Sequence, residues 1–153
     1  MKVIFLDIDG VLATSFKRIE NEFGSIYPFS KGAVKQLNYI LEQTHAKIVL
    51  SSTWRLLYDI ETMKKIFEWN ECIDYPIDYT VIYHSDSLNI VIARERVDEI
   101  KEYVERNKDT IEKWVAIDDE NLDRLGREHF VRCGQRQGLA EDKKAKEVIR
   151  RLT

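Results

Sequence analysis

Four short apolar runs punctuate the chain: Val3 to Leu6, Ala46 to Leu50, Val81 to Tyr83 and Trp114 to Ile117. Near-continuous apolarity over so few residues, rich in Val and Ile, predicts strands buried on both faces. His129 to Cys133 reads as a fifth strand. Between these runs, apolar residues recur at helical spacing. Ser30 is placed to cap a helix carrying Val34, Leu37, Ile40 and Leu41. Leu57 to Trp69 repeats the pattern with Ile60, Met63, Ile66 and Phe67, as do Val97 to Val104 and Ala140 to Leu152. Strands alternating with helices predict an α/β fold of three layers, α/β/α, around a parallel sheet. Right-handed crossovers then bring the strands' carboxyl ends to one edge, where ligands of such sheets bind.

That edge gives the polar motifs their meaning. The first strand runs into Asp7-Ile8-Asp9-Gly10, the second into Ser51-Ser52-Thr53, the fourth into Asp118-Asp119. Distant in sequence, the three clusters are expected to meet at one rim. Asp7 and Asp9 are two residues apart and lean to the same side. Gly10 lets the chain turn away and leaves room for a bound phosphate. Carboxylates gathered at one point repel each other and raise their own pKa values, a conflict that a divalent cation resolves. Oxygen donors alone, with no His or Cys in the motifs, point to Mg²⁺ held by Asp7, Asp9, Asp118 and Asp119 together with water and substrate phosphate.

A metal-bound carboxylate beside a phosphate suits nucleophilic catalysis through an aspartyl-phosphate. In this reading Asp7 attacks phosphorus, while Asp9 protonates the leaving oxygen and then deprotonates water. The Ser51 hydroxyl and nearby backbone N–H groups hold the phosphoryl oxygens. Ser52 either joins them or caps the following turn, and Asp119 either touches the metal or caps a short helix. An Arg or Lys must balance the remaining charge.

Composition narrows the setting. A chain of 153 residues, 44% hydrophobic and 33% charged, has the balance of one globular domain rather than a disordered segment. No apolar stretch approaches the roughly 20 residues that cross a bilayer. Two acids also fall where a signal peptide needs its apolar stretch, so an intracellular, cytoplasmic location is expected. The two cysteines, Cys72 and Cys133, offer neither a disulfide framework nor paired metal spacing, and read as reduced thiols. Lys and Arg total 24 against 27 acids; a net charge of -3 draws the chain to neither nucleic acid nor membrane. Phosphate recognition must then be local. His45, His84 and His129 have no metal-ligand spacing and read as structural.

VIFLDIDGVL, then IVLSS, then WVAIDDEN, in that order and covering most of the chain from Val3 to Asp119, resembles the haloacid dehalogenase (HAD) superfamily of phosphohydrolases. The run SSTWR and the tail RCGQRQGLAEDKKAKEVI resemble a smaller subgroup of HAD domains associated with RNA-repair proteins. The resemblance implies a Rossmann-like sheet, Asp7 as nucleophile and Asp9 as general acid/base. It also implies Mg²⁺ held by Asp7, the Asp9 carbonyl and Asp118 with Asp119 assisting, and phosphate bound by Ser51. The family's third motif is normally a Lys at the start of the helix before the fourth. Here Arg96 stands in that place, with Arg94 a near alternative; Arg can clamp phosphate bidentately.

Many HAD enzymes carry a cap domain over the site. About 40 residues separate Asp9 from Ser51, and a helix and strand use over half of them. What remains, residues 11–29, is expected to be a flap, leaving one capless domain over 1–153 with an open site. Such a site admits phosphate on a nucleotide, a nucleic-acid end or a phosphoprotein, or a neighbouring subunit acting as lid. Phe16, Phe23, Tyr27 and Phe29, with Trp54 and Arg55, either stack on a substrate ring or pack the flap onto the body. Arg124, Arg127, Arg132 and Arg136 either track a phosphate backbone or form a solvated face. The expected activity is Mg²⁺-dependent phosphomonoester hydrolysis. A phospho-accepting regulatory module and a catalytically silent HAD-like binding protein are the alternatives. The former is disfavoured because the acceptor lies on the first strand and Asp9 would hydrolyse a stored phosphoryl group.

Overall fold

In this computed structural model, residues 1–81, 83–84, 91–92 and 95–153 are described. A five-stranded parallel sheet is built from β1 (Lys2–Leu6), β4 (Lys47–Leu50), β5 (Pro76–Tyr79), β8 (Lys113–Asp118) and β9 (Phe130–Arg132). Its order is β5-β4-β1-β8-β9, and every adjoining pair is parallel. β1 is central. The chain first builds outward to β4 and β5 and then returns to add β8 and β9 on the other side. The carboxyl end of β1 is thus the point where the direction of winding reverses, the preferred ligand position in such sheets.

Alternation along the strands sorts the core into two layers. Ile4, Leu6, Ile48, Leu50, Val115 and Ile117 face α1 (Lys31–Thr44), α2 (Ile60–Trp69) and α4 (Lys144–Leu152). Val3, Phe5, Val49 and Ala116 face α3 (Arg96–Arg106). Continuing the period of two, residues 7 and 118 fall on the α3 side. Register aligns them: Leu6 pairs with Leu50 on one side and Ile117 on the other. The next residues, Asp7, Ser51 and Asp118, therefore stand abreast at the rim.

Residues 11–29 hold a short antiparallel hairpin, β2 (Ile19–Asn21) and β3 (Gly24–Ile26). Its base is tied down where the Ser30 N–H donates to the Leu12 carbonyl at 2.7 Å.

Three boundaries differ from the sequence pattern. The outer sheet strand is Pro76–Tyr79, not Val81 to Tyr83; Tyr83–His84 (β6) instead pairs antiparallel with Val91–Ile92 (β7) in a separate ribbon. Among the described residues β5 is an edge strand that pairs only with β4, and it leaves Ile77 and Asp78 exposed, so it has no continuous apolar run. Pro76 is tolerated there as the strand's first residue. α2 begins at Ile60 rather than Leu57, because the Asp59 carboxylate caps it by accepting from the Thr62 N–H at 2.8 Å. α4 begins at Lys144, since Gly138–Ala140 form a separate 3₁₀ turn. Among the described residues, no helix is long and apolar enough to cross a membrane.

Candidate active site

Asp7 and Asp118 are both almost fully buried at the ends of adjoining strands. With Asp119 they form one cluster, each offering an oxygen within 4.8 Å of the others. Arg96, in the first turn of α3, reaches across it. Its Nη1 lies 3.0 Å from Asp7 Oδ2 and 2.9 Å from Asp118 Oδ2. Burial first, and Asp118 second, push the Asp7 carboxyl up to about 9 even against the Arg96 charge. Asp118 is raised as well, chiefly by burial. Burial alone would lower Arg96, but Asp7 and Asp118 outweigh it and hold the guanidinium charged.

Among the described residues, two buried oxygens at this rim have no hydrogen-bond partner, Asp7 Oδ1 and Ser51 Oγ. A buried polar atom left bare costs free energy unless something arrives to meet it. The chemistry fits a hard cation at the carboxylates and an anion's oxygen at the Ser51 hydroxyl. Asp7, Asp118 and Asp119 are the residues that would hold Mg²⁺. The Asp9 carboxylate is not among them. It is exposed, and its Oδ1 accepts from the Trp54 indole Nε1–H at 3.0 Å.

Gly10 has φ +77, and a Cβ there would stand 2.4 Å from Asp119 Oδ2. Its N–H donates to the Ala13 carbonyl. Gly10 thus makes room for Asp119, and its amide is taken by the Ala13 carbonyl. Ser52 is likewise diverted: its hydroxyl accepts from the Trp54 N–H and caps the 3₁₀ turn Thr53–Leu56. Arg94 lies outside the described residues.

Trp54 and Arg55, which the sequence leaves open to substrate contact or packing, are structural. Trp54 is buried and packs between Phe29 and Tyr58, each ring 6.0 Å away. Arg55 Nη2 pairs with buried Glu99 on α3 at 2.7 Å, while its Nη1 donates to the Ser52 carbonyl. This ties the Ser51 loop to the helix that carries Arg96, a link no sequence pattern announces. The Trp54–Asp9 contact had one available signal: an indole placed in a core needs an acceptor.

The four Arg residues after Asp119 form no single track. Arg124 pairs with Glu95 and Asp98. Arg127 precedes β9 at the opposite end of the sheet, in a cleft with Lys113, Arg150 and Arg151. Arg132 stays near the site, its Nε donating to the Asp119 carbonyl at 3.1 Å. His129 stacks flat on Trp114, His45 caps α1, and the His84 side chain lies outside the described residues. Beside Asp9 and Asp119 opens a pocket of about 200 Å³, lined also by Phe16, Tyr27 and Gln135 among others.

Residues 3–143 match the model of a family described as the HAD domain in Swiss Army Knife RNA repair proteins. Among solved structures, a Legionella pneumophila chain described as a HAD superfamily subfamily III A hydrolase is similar at 14% identity and TM-score 0.46. That likeness covers 99% of this chain and 84% of the other. No curated protein matches.

Proposed function

This chain belongs to the family of HAD domains in Swiss Army Knife RNA repair proteins, and on that premise we propose that it is a Mg²⁺-dependent phosphomonoester hydrolase working through an aspartyl-phosphate. The observation that carries the reading is the cluster of Asp7, Asp118 and Asp119, brought together from strand ends far apart in the chain. Bound there, Mg²⁺ supplies positive charge against the phosphoryl oxygens and lets Asp7 ionise.

The chain's own residues do the rest. A carboxylate oxygen of Asp7 bonds to phosphorus as the bond to the alcohol oxygen breaks. Asp9, solvent-facing and aimed by Trp54, gives its proton to that leaving oxygen. It then takes a proton from water, which attacks phosphorus and releases Asp7 and inorganic phosphate. The bare Ser51 hydroxyl donates to a phosphoryl oxygen. Arg96 keeps Asp7 and Asp118 apart in orientation and offsets their charge. The flap leaves the site open to phosphate on a nucleotide, a nucleic-acid end or a phosphoprotein.

The test is phosphate release from a panel of mononucleotides, 3′- and 5′-phosphorylated oligonucleotides and phosphotyrosine peptides. Release that needs Mg²⁺ and disappears in folded Asp7→Asn supports the reading. Equal release by that variant removes the nucleophile. A phosphoryl adduct lasting many minutes favours a phospho-accepting module, and silence on every ester favours a binding protein.

A further inference from the structure

We propose that the rim of the pocket is a subsite for a nucleobase, so that the phosphate removed is one at a base-bearing nucleic-acid end. The phosphate half of this statement rests on the hydrolase reading, but the ring subsite stands on its own geometry. Phe16 is 91% exposed, and among the described residues no other large apolar side chain is as exposed, Leu57 being next at 73%. It stands where the Ser15 Oγ accepts from the Lys17 N–H, so the turn presents residue 16 at its apex. Phe16 does not face bulk solvent at random. With Tyr27 it walls the same pocket that Asp9 and Asp119 line.

Size then decides where a substrate's parts lie. About 200 Å³ is below the range of roughly 300–1,000 Å³ that encloses whole small ligands. A whole nucleotide exceeds it, so part of such a substrate would lie outside, toward exposed Phe16. An exposed aromatic face in that position is a stacking platform. Charge chooses between rings. The Arg18 guanidinium lies 4.7 Å over the Tyr27 ring, and exposed Arg132 is held on the Asp119 carbonyl. Two cations, each held on a residue that lines the pocket, match the further phosphodiesters of an oligonucleotide; a phosphotyrosine peptide has none. Phe29 and Trp54 are buried and take no part.

The experiment measures binding, so it does not depend on turnover. Asp7→Asn protein with Mg²⁺ is titrated with fluorescent oligonucleotides whose terminal phosphate adjoins either a base or an abasic sugar, and with a phosphotyrosine peptide. The base-bearing end should bind about tenfold tighter than the abasic end. Adding Phe16→Ala should abolish that preference while leaving the abasic affinity unchanged, and Phe16→Tyr should preserve it. Equal binding of the two ends, binding of neither, or tighter capture of the peptide through Phe16 overturns the subsite. Wild-type inactivity on every ester, with the base preference intact, removes only the hydrolase reading.

Discussion

The indole N–H of Trp54 donates to Asp9 Oδ1 at 3.0 Å, joining residues 45 positions apart. A buried ring thereby sets the direction of an exposed carboxylate. Trp54→Phe keeps most of the ring and deletes the donor. Proton donation matters for a poor leaving group and little for an activated one. Turnover of an alkyl phosphate should fall about tenfold or more, the worth of a hydrogen bond to a charged group. Turnover of p-nitrophenyl phosphate should barely change. Equal losses on both would mean that Trp54 acts only through folding.

Arg96 forms an ion pair with Asp7 at 3.0 Å. Arg96→Ala leaves two buried acids facing each other. Loss of one partner in a buried pair costs about 3–5 kcal/mol. Urea unfolding without divalent cation should show that loss, and saturating Mg²⁺, binding the native state, should return part of it. Arg96→Lys should keep more stability than Arg96→Ala. If Mg²⁺ stabilises neither variant nor the wild type, the acids do not hold the ion.

How much of this was legible depended on burial. β1, β4 and β8 are central, covered on both faces, and announce themselves as apolar runs ending in acids or Ser51. Among the described residues the edge strand β5 has one partner, and its exposed Ile77-Asp78 makes the neighbouring Val81 to Tyr83 the stronger apolar signal. Asp7, Asp118 and Asp119 could be brought together from sequence because parallel crossovers fix the rim. The diversion of Ser52 to capping, the closed Gly10 amide and the Arg55–Glu99 pair are tertiary facts, set by which partner each group meets. For Trp54 the sequence leaves substrate stacking and packing open because its type suits either role; packing against Phe29 and Tyr58 decides it.

Gly10→Ala tests the space around Asp119. The new Cβ would fall 2.4 Å from Asp119 Oδ2 at a φ of +77. The backbone strain is about 1–2 kcal/mol, too little to unfold a domain of this size. The displaced carboxylate should weaken Mg²⁺ affinity by about ten- to hundredfold, as shifts around metal ligands do. Calorimetric titration checks it; unchanged affinity would remove Asp119 from the ion's ligands.

Burial pushes the thiols of Cys72 and Cys133 up to about 12 from an ordinary 9.0. The native state therefore keeps protons that the unfolded chain releases. Stability is full below about pH 9 and falls as pH rises toward about 12, by at most about 1.4 kcal/mol per thiol per pH unit. Unfolding free energy should be lower at about pH 10 than at about pH 8. Replacing both cysteines with Ala should flatten that decline. Both thiols should also resist a disulfide reagent at pH 8 until urea is added. Rapid reaction in the native state would contradict their burial.

The most direct measurement is chemical trapping of the phosphoryl group. Enzyme turning over a labelled phosphate ester with Mg²⁺ is quenched in acid, reduced with borohydride and digested for mass spectrometry. An acyl phosphate on Asp7 should appear as homoserine at position 7, dependent on substrate and cation. Label on another residue, or steady phosphate release with Asp7 never modified, would contradict the account.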